Sequence, residues 1–164
     1  MQGYSVKQIQ YSDTKDLILN VHYAKRMPSI SYAYGLFEGD DMVGIVSYGS
    51  PASPSLCKGV MGEEHKSKVI ELNRLVLRNN KKNEASYLVA NSLKLLPKPK
   101  CVVSYADTKE GHTGYIYQAC NFMFTGTSRP RTDMAGKEGN HSRHHSGDRT
   151  KRVDRSAKHR YIIF

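Results

Sequence analysis

Hydrophobic positions change period several times along the chain, and each change predicts an element. Residues 4–11 (YSVKQIQY) alternate with period two and read as a first strand. Ser12 is placed to cap a helix, with Asp13 and Asp16 favouring its start. Leu17, Ile18, Val21 and Ala24/Lys25 then follow helical spacing until Pro28 closes it. Ile30 to Phe37 and Met42 to Tyr48 predict a hairpin about the turn Glu38-Gly39-Asp40-Asp41. The prolines and glycines of 49–62 (GSPASPSLCKGVMG) predict a loop. Val69 to Leu77 (VIELNRLVL) reads as a central strand. A helix from about Glu84 to Leu96 follows, with Asn83 as its cap and Ala85, Leu88, Val89, Leu93 and Leu96 on its apolar stripe. Cys101 to Tyr105 is a short apolar strand suited to a sheet covered on both faces. Thr113 to Ala119 predicts a helix, Phe122–Thr125 a strand, and His159 to Phe164 (HRYIIF) a last strand. This order implies an α/β chain with a mixed central sheet flanked by helices.

Size and charge refine that picture. A length of 164 residues suits one domain over 1–164, with 126–158 as a basic loop before the last strand. Mean hydropathy is −0.59, so much of the chain must be solvated. No apolar run approaches the ~18 residues of a membrane span, and MQGYSVKQIQYSD lacks the blocks of a signal peptide. The expectation is an intracellular protein with no membrane partner. The three cysteines are far apart in sequence, which disfavours a disulfide framework or a zinc ribbon and makes Cys101 and Cys120 candidates for buried packing. The net charge is +10, and residues 126–160 hold ten Lys/Arg against four Asp/Glu. Such an excess suits a polyanion, with Arg129, Arg131, Arg143, Arg149, Lys151, Arg152 and Arg155 as phosphate contacts, or a plain solvated loop.

Candidate chemistry gathers in four places. ELNRLVL followed by NEAS is a strand feeding a helix start, whose amides with the Asn83 and Ser86 side chains suit an anion. Asn79-Asn80-Lys81-Lys82 precedes it, its lysines suited to phosphates; equally, Asn83 and Ser86 are ordinary caps. In SYADTKEGHTGYIYQACNF, Ser104 and Asp107 lie at the carboxyl end of a central strand, where open α/β sheets bind ligands, with His112 and Tyr117 just after. From its surroundings alone, Tyr117 reads as a core ring with its hydroxyl satisfied. His22-Tyr23 falls near the end of the first helix. His141, His144 and His145 lie among arginines that disfavour a cation.

Together these residues resemble more than a generic fold. The strand and helix order, and the spacing of YQACNF, resemble the GNAT acyltransferases, with Asn121 where glycine is usual. HYAKRMP (22–28), YGSPAS (48–53), ELNRL (71–75), NEAS (83–86), SYADTKEGHTGYIYQA (104–119) and KHRYIIF (158–164) resemble the phage Mom family. The resemblance implies a GNAT-like enzyme, active in the cytoplasm of an infected bacterium, that converts adenine in DNA to N6-carbamoylmethyl (acetamido) adenine and so shields DNA from restriction. It implies an acetyl-CoA or related acyl donor along Arg74, Asn83 and Ser86. It places Asp107 and Tyr117 at the reactive centre, approached by His22 and Tyr23, with Ser104 beside them. It allows His22, Tyr23 and Asp107 to hold a metal such as iron. The implied partner is double-stranded DNA with a flipped adenine, and Tyr32, Tyr34 or Tyr48 as stacking rings. The sequence leaves the oligomeric state open, a homodimer included.

One chemical difficulty accompanies that product. Carbamoylmethyl joins the base nitrogen to a methylene carbon, so simple attack on a thioester carbonyl does not yield it. A metal, another donor or a partner enzyme has to take part. Two rivals therefore stand: an acyltransferase acting on protein, tRNA or a small amine, and a non-catalytic nucleic-acid-binding module on the same scaffold.

Overall fold

The computed structural model describes residues 1–98, 100–134 and 152–164. Seven strands form one sheet in the order β1-β2-β3-β4-β5-β9-β6, and β7 and β8 form a separate two-stranded ribbon. β1 (Tyr4–Gln8), β2 (Tyr32–Glu38), β3 (Asp41–Gly49) and β4 (Val69–Leu77) make an antiparallel meander. β5 (Cys101–Asp107) lies parallel to β4, and β9 (Lys158–Ile163) inserts between β5 and β6 (Met123–Thr127).

The expected hairpin, central strand, long helix and last strand are all present. Helix α2 (Glu84–Leu95) buries Leu88, Val89 and Leu93 against Tyr34, Leu36, Val46 and Tyr48 of the meander. Such a stripe is what the 3.6-residue period of its apolar positions requires. Cys101 and Cys120 are buried free thiols, as their apolar surroundings predicted. No helix among the described residues is long and apolar enough to cross a membrane.

Four expectations are corrected. First, 49–62 is not all loop: α1 spans Pro54–His65, with the Leu56 amide donating to the Ser53 hydroxyl at 3.3 Å and Pro54 at the first helical position. Leu56, Cys57, Val60 and Met61 cover Val69, Cys101, Val103 and Ile162 on the sheet's second face. Proline at a first helical position stops nothing, because its missing N–H has no helical partner anyway.

Second, the first helix is only two short turns, Tyr11–Thr14 and a wide turn at Leu17–Val21 where the His22 amide reaches back to the Leu17 carbonyl at 3.0 Å. Asp13, through the Gln10 amide at 2.9 Å, closes the start that Ser12 was expected to cap. Leu17 and Ile18 are buried but Val21 is exposed, so burial rewards no further turn. His22 is extended, and it leads a loop rather than ending a helix.

Third, Asn83 caps nothing with its side chain; it sits at φ +69. Fourth, the basic loop rests on a ribbon in which β7 (Arg131–Met134) pairs with β8 (Arg152–Arg155). Arg143, Arg149, Lys151 and the histidines 141, 144 and 145 lie outside the described residues.

Candidate active site

The parallel pair makes the site. β4 and β5 stay in register from Val69 opposite Cys101 to Leu72 opposite Ser104. Beyond that rung β4 continues beside β3 to Leu77, while β5 continues beside β9 to Asp107. A cleft of about 1450 Å³ occupies the fork. Ser104 marks its apex and donates to the Leu72 carbonyl at 3.3 Å.

Three separated motif blocks meet on one wall. The register between β3 and β4 shifts at Ser47/Tyr48, so that Asn73 is an extra residue between Leu72 and Arg74. A bulge of this kind re-aims side chains. Asn73 accepts from the Ser47 hydroxyl at 2.7 Å and donates to the Ser29 carbonyl at 2.7 Å. Gly49 permits that contact, since a Cβ there would lie 1.8 Å from the Ser29 oxygen. The Arg74 guanidinium donates to the Asn73 carbonyl at 2.6 Å and to the Arg26 carbonyl at 3.1 Å. YGS, ELNRL and HYAKRMP are thereby tied together, and His22 and Tyr23 are carried over the cleft. Nε of Arg74 is buried without a partner.

His22 is neutral at ordinary pH. Burial, and then the positive charges of Arg74, His112 and Arg26, lower its pKa to about 4. Its Nδ1 accepts from the Ala24 amide at 3.0 Å, which assigns the proton of the neutral ring to Nε2. The ring stacks on Tyr23 at 4.3 Å, and Tyr23 meets the edge of His112 at 6.0 Å. Burial and the nearby Asp107 charge raise the Tyr23 phenol.

At the end of β5, Asp107 accepts from the Lys109 amide at 3.0 Å and from the Ser156 hydroxyl, and pairs with Lys158 at 3.0 Å; Ser156 and Lys158 line the cleft. Burial alone would raise its pKa, but Ser156 and Lys158 outweigh it, so the carboxylate is held below its usual range. α3 (Tyr115–Ala119) brings Tyr117 between Phe122 and Tyr161, each 5.5 Å away between ring centres. Burial pushes this phenol up, against the opposing hydrogen bond with Ser104. Tyr117 is therefore a neutral phenol beside Ser104.

At the far end of the cleft, the turn before α2 runs through Asn80 at φ +48 and Asn83 at φ +69. Asparagine tolerates this left-handed region better than other residues with a side chain, so the turn forms without a glycine signature. Asn80 and Ala85 line the cleft. The first-turn amides of α2 there suit a pyrophosphate. Ser86 donates to the Asn83 carbonyl at 3.2 Å, and Lys81 is held by Glu38 at 2.6 Å. Of the two lysines expected at phosphates, Lys81 is thus engaged elsewhere.

The trio offered to iron does not fit a metal. Nδ1 of His22 is engaged and Nε2 carries the proton, the Tyr23 phenol is raised, and Asp107 is committed to Ser156 and Lys158. No cluster of three His, Cys, Asp or Glu side chains suited to a metal occurs among the described residues. The stacking role expected of Tyr34 and Tyr48 also fails. Both are buried in the core, and the Tyr48 hydroxyl bonds to Ser92 at 2.6 Å. Tyr32, partly buried, packs against the same cluster.

Arg129, Arg131 and Arg155 border the cleft, while Arg152 is exposed on β8. Asp133 partly neutralises this rim, lying 3.3 Å from Arg131 and 3.2 Å from Arg155.

A central sheet split between two parallel strands, with a helix start facing the gap, defines a protein of the GNAT acyltransferase fold. Solved structures agree. NAA60 of Arabidopsis thaliana in complex with acetyl-CoA superposes with a TM-score of 0.60 over 98% of each chain at 11% identity. A Bacillus subtilis acetyltransferase in complex with CoA superposes at 0.57, over 98% of this chain and 96% of that one, at 12% identity. The ribosomal-protein-S5-alanine acetyltransferase of Vibrio fischeri gives 0.60 over 100% and 94% at 10% identity. Within that fold, the model of the Mom protein family matches residues 3–164, and the chain belongs to the Mom protein family. The methylcarbamoylase mom of Escherichia phage Mu is 32% identical over 136 residues, 76% of this chain and 56% of the relative. The chain thus spans little more than half the length of that curated relative.

Proposed function

We propose that the chain is a phage DNA-modifying transferase that places a carbamoylmethyl group on N6 of adenine, acting in the cytoplasm of the infected host. The observation that carries the reading is the fork itself, where a neutral His22 and a neutral Tyr117 line one cleft bordered by Arg129 and Arg131, and an ionised Asp107 stands behind the lining residue Lys158. A small-molecule acceptor needs no such cationic border, whereas phosphates do. Membership of a family that includes a methylcarbamoylase supports the same choice.

An acyl-CoA or related thioester donor would lie with its phosphates at the α2 start and its reactive end toward Ser104. A carbamoylmethyl product would require the base nitrogen to bond to the methylene carbon of the two-carbon unit, with the leaving group departing from that carbon and the thioester carbonyl left unattacked. Each residue then has a defined task. The Tyr117 hydroxyl would give its proton to the leaving group as the new C–N bond forms, a general-acid step. His22 donates its Nε2–H to the oxygen of the transferred group. The nitrogen of adenine would gain positive charge as it bonds to carbon, and Asp107 would supply the compensating negative charge and accept the proton that the nitrogen sheds. Arg74, on the cleft wall, would supply positive charge to the donor's phosphates or carbonyl.

The exocyclic nitrogen of adenine is paired inside a duplex, so the base enters the cleft flipped. Plasmid DNA recovered from bacteria producing the protein should resist restriction enzymes whose sites contain adenine. Digestion indistinguishable from an empty-vector control, with soluble protein present, argues for an acceptor other than DNA, a protein amine first among them.

A further inference from the structure

Two aromatic side chains stand exposed on the cleft: Tyr23 at 52% and Tyr115 at 78% exposure. Tyr115 is the most exposed large apolar residue among the described residues. It opens α3 at the mouth of the same cleft that Arg129 and Arg131 border. A single exposed ring means little on its own. What distinguishes Tyr115 is the backbone beneath it.

Gly114 sits at φ +76, and a Cβ there would lie 2.2 Å from the ring of buried Tyr161. The Tyr161 hydroxyl donates to the Thr113 carbonyl at 2.7 Å and accepts from the Gln118 amide side chain at 3.2 Å. The His112 amide donates to the Asp107 carbonyl at 3.1 Å, and the Gln118 amide to the Gly114 carbonyl at 3.0 Å. Residues 112–118 are thus clamped to β5 and β9, and the clamp projects an aromatic ring into solvent. A ring on a mobile loop would lose conformational freedom on contact; here the backbone beneath the ring is fixed in advance.

We infer that Tyr115 is the wedge that enters the base stack of duplex DNA and holds the extruded base in the cleft. The inference rests on the reading that the acceptor is a base in DNA. Apolar side chains inserted between base steps unstack them, and aromatic rings stack on a base of any sequence. The two exposed rings then divide the work. Tyr115 replaces the lost stacking partner in the duplex, while Tyr23, stacked on His22, faces the base inside.

The test uses duplexes drawn from a plasmid segment that the protein modifies, with 2-aminopurine substituted for successive adenines. Its fluorescence rises when it leaves the stack. At saturating protein, the wild type should unstack the probe at the modified position. Tyr115→Ala should lower that extrusion equilibrium by about tenfold or more, the range of one base–aromatic stack. Tyr115→Phe should retain it. A mismatch opposite the probe should restore much of the loss in Tyr115→Ala, which a folding defect would not allow. Equal extrusion by wild type and Tyr115→Ala at saturation would overturn the wedge while leaving DNA modification intact. A wild type that neither modifies nor binds DNA would overturn both.

Discussion

The core under α2 and the fork at β4 treat polar groups in opposite ways. Where the meander packs under α2, buried polar atoms are paired: Tyr48 with Ser92 at 2.6 Å and Glu84 with Tyr4 at 3.1 Å. At the fork β4 presents an Arg74 whose Nε has no partner, beside a histidine that burial keeps uncharged. Buried polar groups left unpaired lower stability. The first environment is built to hold, and the second keeps donors ready for charge that arrives with the ligands.

The contrast can be broken from either side. The largest effect is expected at Tyr117→Phe, which keeps the ring packed against Phe122 and Tyr161 and removes only the hydroxyl. Product formation should fall about 10²- to 10⁴-fold with little change in thermal midpoint. A loss no greater than the drop in folded protein would make Tyr117 one more core tyrosine. On the core side, Leu88→Ala empties a fully buried position and should destabilise by about 2–5 kcal/mol in urea unfolding. Activity per folded molecule should be unchanged there. Gly49→Ala forces a Cβ against the Ser29 carbonyl and should destabilise by about 1–3 kcal/mol. Because the same contact seats the loop of His22 and Tyr23, activity should fall further than folding does.

Smaller effects sharpen the electrostatic half. Burial holds the His22 imidazole down at about 4 in the folded chain, below the ordinary value of 6.5. As pH falls through 6.5 the unfolded chain takes up the proton first, so stability declines between about 6.5 and 4 and this contribution levels off below. His22→Gln should flatten that part of the profile; an identical slope in the variant would mean that His22 is not the buried neutral group described. Arg129→Ala and Arg152→Ala should each reduce the dependence of log affinity on log salt for DNA by about 1. Arg131 and Arg155, both held by Asp133, should change it less.

Much of the sheet was legible because period-two and period-3.6 patterns report burial directly. The strand Val69 to Leu77 and the helix carrying Leu88 and Val89 followed from spacing alone. α1 was not legible because Pro54 and Gly59 were weighed as loop signals, although Ser53-Pro54 is also a helix start. His22 moved off its helix because pattern cannot report the wide turn at Leu17–Val21 or Lys25 at φ +40. Ser104 and Asp107 stood out by their place at a strand's end and Tyr117 by the resemblance of YQACNF, yet nothing local announced that Asp107 would be held by Ser156 and Lys158, about fifty residues away. Tyr115 carried no signal in sequence, since its exposure depends on Tyr161 pressing against Gly114.

Nucleoside analysis decides the central claim most directly. Plasmid DNA from bacteria producing the wild type or Asp107→Ala is digested to nucleosides and resolved by mass spectrometry. A modified adenosine whose added mass matches a carbamoylmethyl group, present with the wild type and absent with the variant, is the expected result. DNA of unaltered nucleoside content, from cells in which the wild-type protein is soluble, would contradict the assignment of DNA as acceptor.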